Sequence, residues 1–196
     1  MQLEQENPLK IVRNRQVCPQ PVVQHRSAAI LAADVVGFTR LMCINEHRTY
    51  EDYKTHRREL IDPMMISHGG RIVKSTGDGF LVEFPSALDA IRCAISVQQG
   101  MAERNQLVPA DRRIVFRIGL SYGQIIADSD DIYGTEVNVA ARLQALALPG
   151  GMAMSSKMVE RIQGILKLGL EDFGLQLLKN MNPAVHTFHY RDPAAA

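Results

Sequence analysis

Short, unbroken apolar runs alternate along this chain with stretches where apolar residues return every three or four positions. Residues 28–33, AAILAA, are apolar throughout and of strand length, the pattern of a strand covered on both faces. From Glu46 to Ser67 the spacing turns helical, with Tyr50, Tyr53, Leu60, Ile61 and Met64 among the apolar positions. Pro63 is expected to kink that helix or end its regular part, because it brings no N–H. His68-Gly69-Gly70 reads as the stop, since glycine takes the left-handed C-cap conformation cheaply. RIVKS (71–75) and FLVEF (80–84) then flank Thr76-Gly77-Asp78-Gly79, a hairpin signal.

A second amphipathic helix is predicted over Ala87–Arg104 and a long strand over Ile114–Tyr122. The order so far, β-α-β-β-α-β, is that of the split βαβ unit. A strand at Ile125–Ala127, a helix at Glu136–Leu146, a strand at Met152–Ser155 and a helix at Lys157–Leu166 are expected to follow. Two late strands, Leu175–Leu178 and His186–Tyr190, would close the sheet. The fold class is therefore α+β, a ferredoxin-like βαββαβ core with additional C-terminal strands and helices. Residues 1–26 are polar, contain Pro8, Pro19 and Pro21, and read as an arm or linker. Residues 27–191 read as one domain and 192–196 as a tail.

Composition changes this picture little but excludes several functions. A formal net charge of +1 leaves no basic excess for a nucleic-acid groove or an anionic membrane surface. No apolar run approaches the roughly 20 residues needed to span a bilayer, and MQLEQENPLK lacks the features of a secretory signal. Cys18, Cys43 and Cys93 are odd in number and far apart, which suggests a reducing compartment. The expected location is cytoplasmic.

The chemistry gathers at strand ends. Asp34 terminates the first apolar strand, and Asp78 lies in the tip of the hairpin. Taken singly, either aspartate reads as a turn or cap residue. In a split βαβ sheet, however, the first and third strands run side by side, so the two carboxylates would face one small volume. Hard oxygen ligands of that kind suit Mg²⁺, which prefers one or two carboxylates plus substrate phosphates.

These residues carry a family resemblance. Ala33-Asp34-Val35-Val36-Gly37-Phe38-Thr39 resembles the first metal motif of class III adenylyl and guanylyl cyclases, and Lys74-Ser75-Thr76-Gly77-Asp78-Gly79-Phe80 their second. Asp131-Ile132-Tyr133-Gly134 with Val137-Asn138-Val139-Ala140-Ala141-Arg142-Leu143 is similar to the segment holding the purine-selecting and transition-state residues. Leu177-Leu178-Lys179-Asn180 resembles the loop that supplies a triphosphate-binding lysine. The wording is of the bacterial type, and the match runs from about Ala28 to Tyr190 in the family's order.

The resemblance implies an adenylyl cyclase that turns ATP into cyclic AMP and pyrophosphate. It implies a head-to-tail homodimer with active sites at the interface and two divalent cations, Mg²⁺ or Mn²⁺, per site. Asp34, Asp78 and the Val35 backbone carbonyl would hold metal, and Phe38 and Thr39 would bind substrate. From the other protomer would come Lys74 and Asp131 for the base, Lys179 for the outer phosphates, and the catalytic pair Asn138 and Arg142. A carboxylate accepting from the adenine amino group and an ammonium donating to its ring nitrogen match ATP, while guanine reverses that pattern. Two features depart from the pattern: Gln124, where a charged residue serving the phosphates is expected, and a short stretch from Lys167 to Gly174. They motivate a rival reading, a weak or inactive cyclase-like domain acting as a nucleotide-binding or dimerising module.

Overall fold

A computed structural model describes residues 24–128 and 130–191. Its centre is β1 (Gln24–Val35), flanked by β3 (Gly79–Phe84) and β4 (Phe116–Asp128), both antiparallel to it. The full order is β2-β3-β1-β4-β6-β8-β7, with β2 spanning Arg71–Thr76, β6 Gly151–Ser155, β7 Glu171–Gln176 and β8 Val185–Arg191. A short β5 (Asp131–Tyr133) folds back on the end of β4. The run β2-β3-β1-β4 is the ferredoxin-like core that the element order anticipates.

The apolar run at 28–33 is explained by cover on both faces. Ala29, Leu31, Ala33 and Val35 pack with Phe80, Val82, Phe84, Phe116, Ile118 and Leu120 beneath α4 (Ala87–Asn105). Ala28, Ile30 and Ala32 face the other way, toward Ile125, Ala127, Ile132 and Ala140 of α5 (Thr135–Leu146). Each large side chain so buried contributes about 1.5–3 kcal/mol. Helix α5 sits directly on β4 at Gly119, where an added Cβ would overlap Ala140 O and Gln144 N and come within 2.8 Å of Gln144 Cα.

The structure differs from the sequence reading in several elements. β1 begins at Gln24, ahead of the apolar run, and Arg26 there bonds Glu83 of β3 at 2.7 Å; residues 1–23 and the 192–196 tail lie outside the described residues. An unforeseen α1 (Phe38–Ile44) follows Gly37, whose left-handed backbone (φ 63°) starts it without a side-chain cap. Pro63 follows the end of the regular α-helix, as expected, although the helical stretch continues. α2 (Glu46–His56) passes through a π turn at Arg57–Ile61 into α3 (Asp62–Ser67), and the wider turn absorbs the missing proline N–H. The strands expected at 114–122 and 125–127 are one strand, since Gly123 makes room for the Glu136 side chain rather than breaking the ladder. α6 is short (Ser156–Glu160), and β7 begins earlier than the Leu175–Leu178 run because Glu171 and Asp172 already pair with His189 and Phe188 of β8.

Candidate active site at the end of the central strands

Ala33 pairs with Phe80, so the end of β1 and the tip of the β2–β3 hairpin meet. Asp34 and Asp78 come together there. The Asp78 carboxyl is pushed up to about 6, first by burial and then by a hydrogen bond to Asp34 and that residue's negative charge. Among the described residues no three His, Cys, Asp or Glu side chains form a metal-holding group. A two-carboxylate set of hard oxygens fits a cation that keeps waters and takes phosphate ligands, as Mg²⁺ does, better than one needing a full protein cage.

Arg117 stands opposite Asp34 in the β1–β4 ladder, and its guanidinium donates to Asp34 Oδ2 at 3.0 Å. The Gln144 amide of α5 donates to the same oxygen at 3.4 Å. Both Asp34 and Arg117 are 29% exposed, yet Arg117 Nε is fully buried and has no partner among the described residues. Neither Arg117 nor Gln144 stands out in the sequence reading. The available signal was strand alternation in FRIGL, which puts the lone cation of an apolar strand on the face of Asp34. Gln124, by contrast, lies at the far end of the same ladder and bonds Ser27 Oγ at 2.8 Å.

Lys74 is aimed by an irregularity. Ile72 faces Val82 and Lys74 faces Leu81, leaving Val73 as an extra residue in β2. Such a bulge bends a strand and redirects its side chains. Lys74 Nζ reaches Asp131 Oδ2 at 2.6 Å, and Asp131 Oδ1 accepts its neighbour's amide, Ile132 N–H, at 2.9 Å. Their mutual hydrogen bond holds Asp131 below the usual carboxylate range and raises Lys74.

Asn138 and Arg142 lie one turn apart on α5, exposed, and among the described residues neither side chain has a hydrogen-bond or ion-pair partner. Lys179 is likewise exposed and unpaired, beside an open cleft of about 350 Å³ lined by Leu177–Asn182. Its neighbour Leu178 is buried against Val139 and Leu143 of α5, which anchors the loop despite the short stretch before it. Phe38 meets the Tyr53 ring edge-on at 5.6 Å, Thr39 is exposed in the first turn of α1, and Val35 is the buried last residue of β1. The structure thus brings together Asp34 with Asp78 and Lys74 with Asp131. Asn138 and Arg142 form a separate, unengaged group on α5, with Lys179 on the loop packed against it.

The adenylate and guanylate cyclase catalytic domain family matches residues 21–182. A Rhizobium meliloti (strain 1021) relative with a provisional adenylate cyclase name is 44% identical over 164 residues, 84% of this chain but 28% of its own length. An adenylate cyclase of Streptomyces coelicolor is 29% identical over 70% of this chain and 34% of its own length. The chain thus spans about a third or less of these relatives. A solved adenylate/guanylate cyclase/hydrolase from Silicibacter pomeroyi superposes with a TM-score of 0.83 at 41% identity, covering 87% of this chain and 99% of that one. An adenylyl cyclase from P. aeruginosa, at 21% identity and a TM-score of 0.76, shares the fold. No described helix is long and apolar enough to cross a membrane.

Proposed function

The chain belongs to the adenylate and guanylate cyclase catalytic domain family, and from that premise we propose that it converts ATP to 3′,5′-cyclic AMP and pyrophosphate. The observation that carries the reading is the Asp34–Asp78 pair at one strand end, backed by Arg117. Asp34, Asp78 and the Val35 carbonyl would hold two divalent cations, Mg²⁺ or Mn²⁺. A cation bound there supplies a lowered pKa for the ribose 3′-hydroxyl and charge to offset the phosphates.

The remaining work falls to the protein's own groups, since phosphoryl transfer depends on positioning and on stabilising charge. Phe38 and Thr39 bring the first-turn backbone of α1 to the phosphates. Arg117 adds a guanidinium beside the acid pair. Arg142 offers a planar donor fork for charge growing on the α-phosphate. Asn138, on the same helix face, orients the ribose. Lys179 meets the outer phosphates as a point charge. Lys74 and Asp131 present a donor and an acceptor to adenine, and guanine would mismatch both.

Among the described residues the Asn138, Arg142 and Lys179 side chains have no partner, which supports a site completed by a second copy in a head-to-tail homodimer. A cytoplasmic setting and a single catalytic domain over 27–191 accord with this reading. The test is purified protein with ATP or GTP and Mg²⁺ or Mn²⁺, assayed for cyclic product. Nucleotide binding without any cyclic product would sink the proposal in favour of a regulatory module. Asp34→Ala and Arg142→Ala should each be inactive, and mixing them should restore part of the activity. Absence of rescue in proven heterodimers would refute the shared site.

A further inference from the structure

We propose that Arg57 is a positioning residue that clamps the β2–β3 hairpin to the helical layer and so sets Lys74 and Asp78 together. The inference rests on the cyclase reading and concerns the two sites of the dimer to which one hairpin contributes, Asp78 to one and Lys74 to the other. Arg57 opens the π turn, where the Asp62 N–H bonds the Arg57 carbonyl five residues back. Residues five apart stack in such a turn, and Arg57 Nε meets Asp62 Oδ1 at 2.6 Å. With its other nitrogens the guanidinium donates to the Tyr53 hydroxyl at 3.1 Å and, from both NH groups, to Ser75 Oγ at 3.3 Å. Its centre lies 4.7 Å from the middle of the Phe80 ring.

Ser75 and Phe80 are cross-strand partners. One side chain therefore grips both strands of the hairpin at a single rung, and that rung sits between Lys74 and Asp78. Tyr53, the other group Arg57 holds, takes the edge of Phe38 at the turn after β1. The base-facing lysine, one metal-facing aspartate and the phosphate-facing turn thus share a single anchor.

Packing alone does not account for this choice. The Arg57 side chain is only 11% exposed, and an apolar side chain would fill space against Tyr53 and Phe80 without desolvating a charge. What the guanidinium adds is a directional hold on Ser75. Ser75 is exposed, so Ser75→Ala removes that hold with little cost to the fold.

The test uses the full chain carrying Ser75→Ala, Arg57→Lys, or both. Ser75→Ala should melt within about 2 °C of wild type. It should lower kcat for ATP, and Mn²⁺ affinity read by electron paramagnetic resonance, each about three- to tenfold, the factor one net hydrogen bond is worth. In the Arg57→Lys background Ser75→Ala should add nothing. Fully additive losses, or unchanged kcat and Mn²⁺ affinity in Ser75→Ala, would overturn the proposal. A wild-type protein that makes no cyclic product would sink the cyclase reading instead. The Mn²⁺ titration would then still decide the clamp, since it needs Asp78 beside Asp34 and no turnover.

Discussion

Replacing Gly119 by alanine strikes the seat of α5. The new Cβ would overlap Ala140 O and Gln144 N and lie 2.8 Å from Gln144 Cα, against the 3.4–4 Å of ordinary contact. All three are backbone atoms, so no side chain can swing aside, and the helix must retreat by about 1 Å. Overpacking of this kind costs about 1–3 kcal/mol, and a rigid backbone obstacle puts this case near 3. For a chain of this size that is a fall in Tm of roughly 6–12 °C. The helix carries Asn138 and Arg142 and donates from Gln144 to Asp34. A 1 Å misplacement there should lower cyclase activity about 100-fold. Gly169→Ala, with nothing within 4 Å of its added Cβ, is the matched control and should be neutral. Calorimetry and cyclic AMP formation on both variants give the answer. Gly119→Ala melting within about 2 °C of wild type, with full turnover, would show that α5 does not sit where it is described.

Other consequences are as direct. Asp78, raised to about 6 in the fold from an ordinary 3.8, holds a proton there that the unfolded chain has lost, so it subtracts stability as pH climbs between those values. A metal held there as proposed would have to displace that proton. Mn²⁺ affinity should therefore rise as pH passes through about 6 and level off above it, with roughly three-quarters of a proton released per site at pH 5.5 and almost none at pH 7.5; calorimetry in buffers of different ionisation enthalpy would expose a flat profile. Glu83 is buried, which pushes its carboxyl up, but hydrogen bonds from Arg26 and Arg71 more than offset this and hold it below the usual range. Glu83→Gln should cost about 1–3 kcal/mol in urea unfolding, at the low end for a paired charge because both arginines can return to water, while leaving ATP selectivity unchanged. Lys74→Glu with Asp131→Lys should shift preference from ATP toward GTP, and an unchanged ratio of cyclic products would refute their role.

How far the sequence reaches depends on the range of the interaction. Asp34 and Asp78 were legible because each falls at a local boundary, a strand end and a hairpin tip, and the strand order then brings the boundaries together. Arg117 and Gln144 were not, since only the β1–β4 register and the seating of α5 reveal what they touch. Helix α1 has too few residues to declare a period, and its start depends on the left-handed backbone of Gly37. Gly123 misled in the opposite sense. Its local signal is to break a strand, and its actual task is to leave room for Glu136. Pro63 was read correctly, because a proline's missing N–H is a local property: the regular helix gives way to a π turn just before it.

The bond between Lys74 and Asp131 has a consequence for selection. These two side chains satisfy each other at 2.6 Å. If the pair reads the base as proposed, a purine must wedge its edge between them, and recognition would be an exchange of partners rather than a simple gain. Adenine returns an acceptor to the lysine and a donor to the aspartate, and the exchange comes out even. Guanine would part the pair and leave both ends unanswered, a loss charged twice against the wrong base. A pair that closes on itself in this way acts as its own competitor ligand, displaced only by an edge that matches both ends.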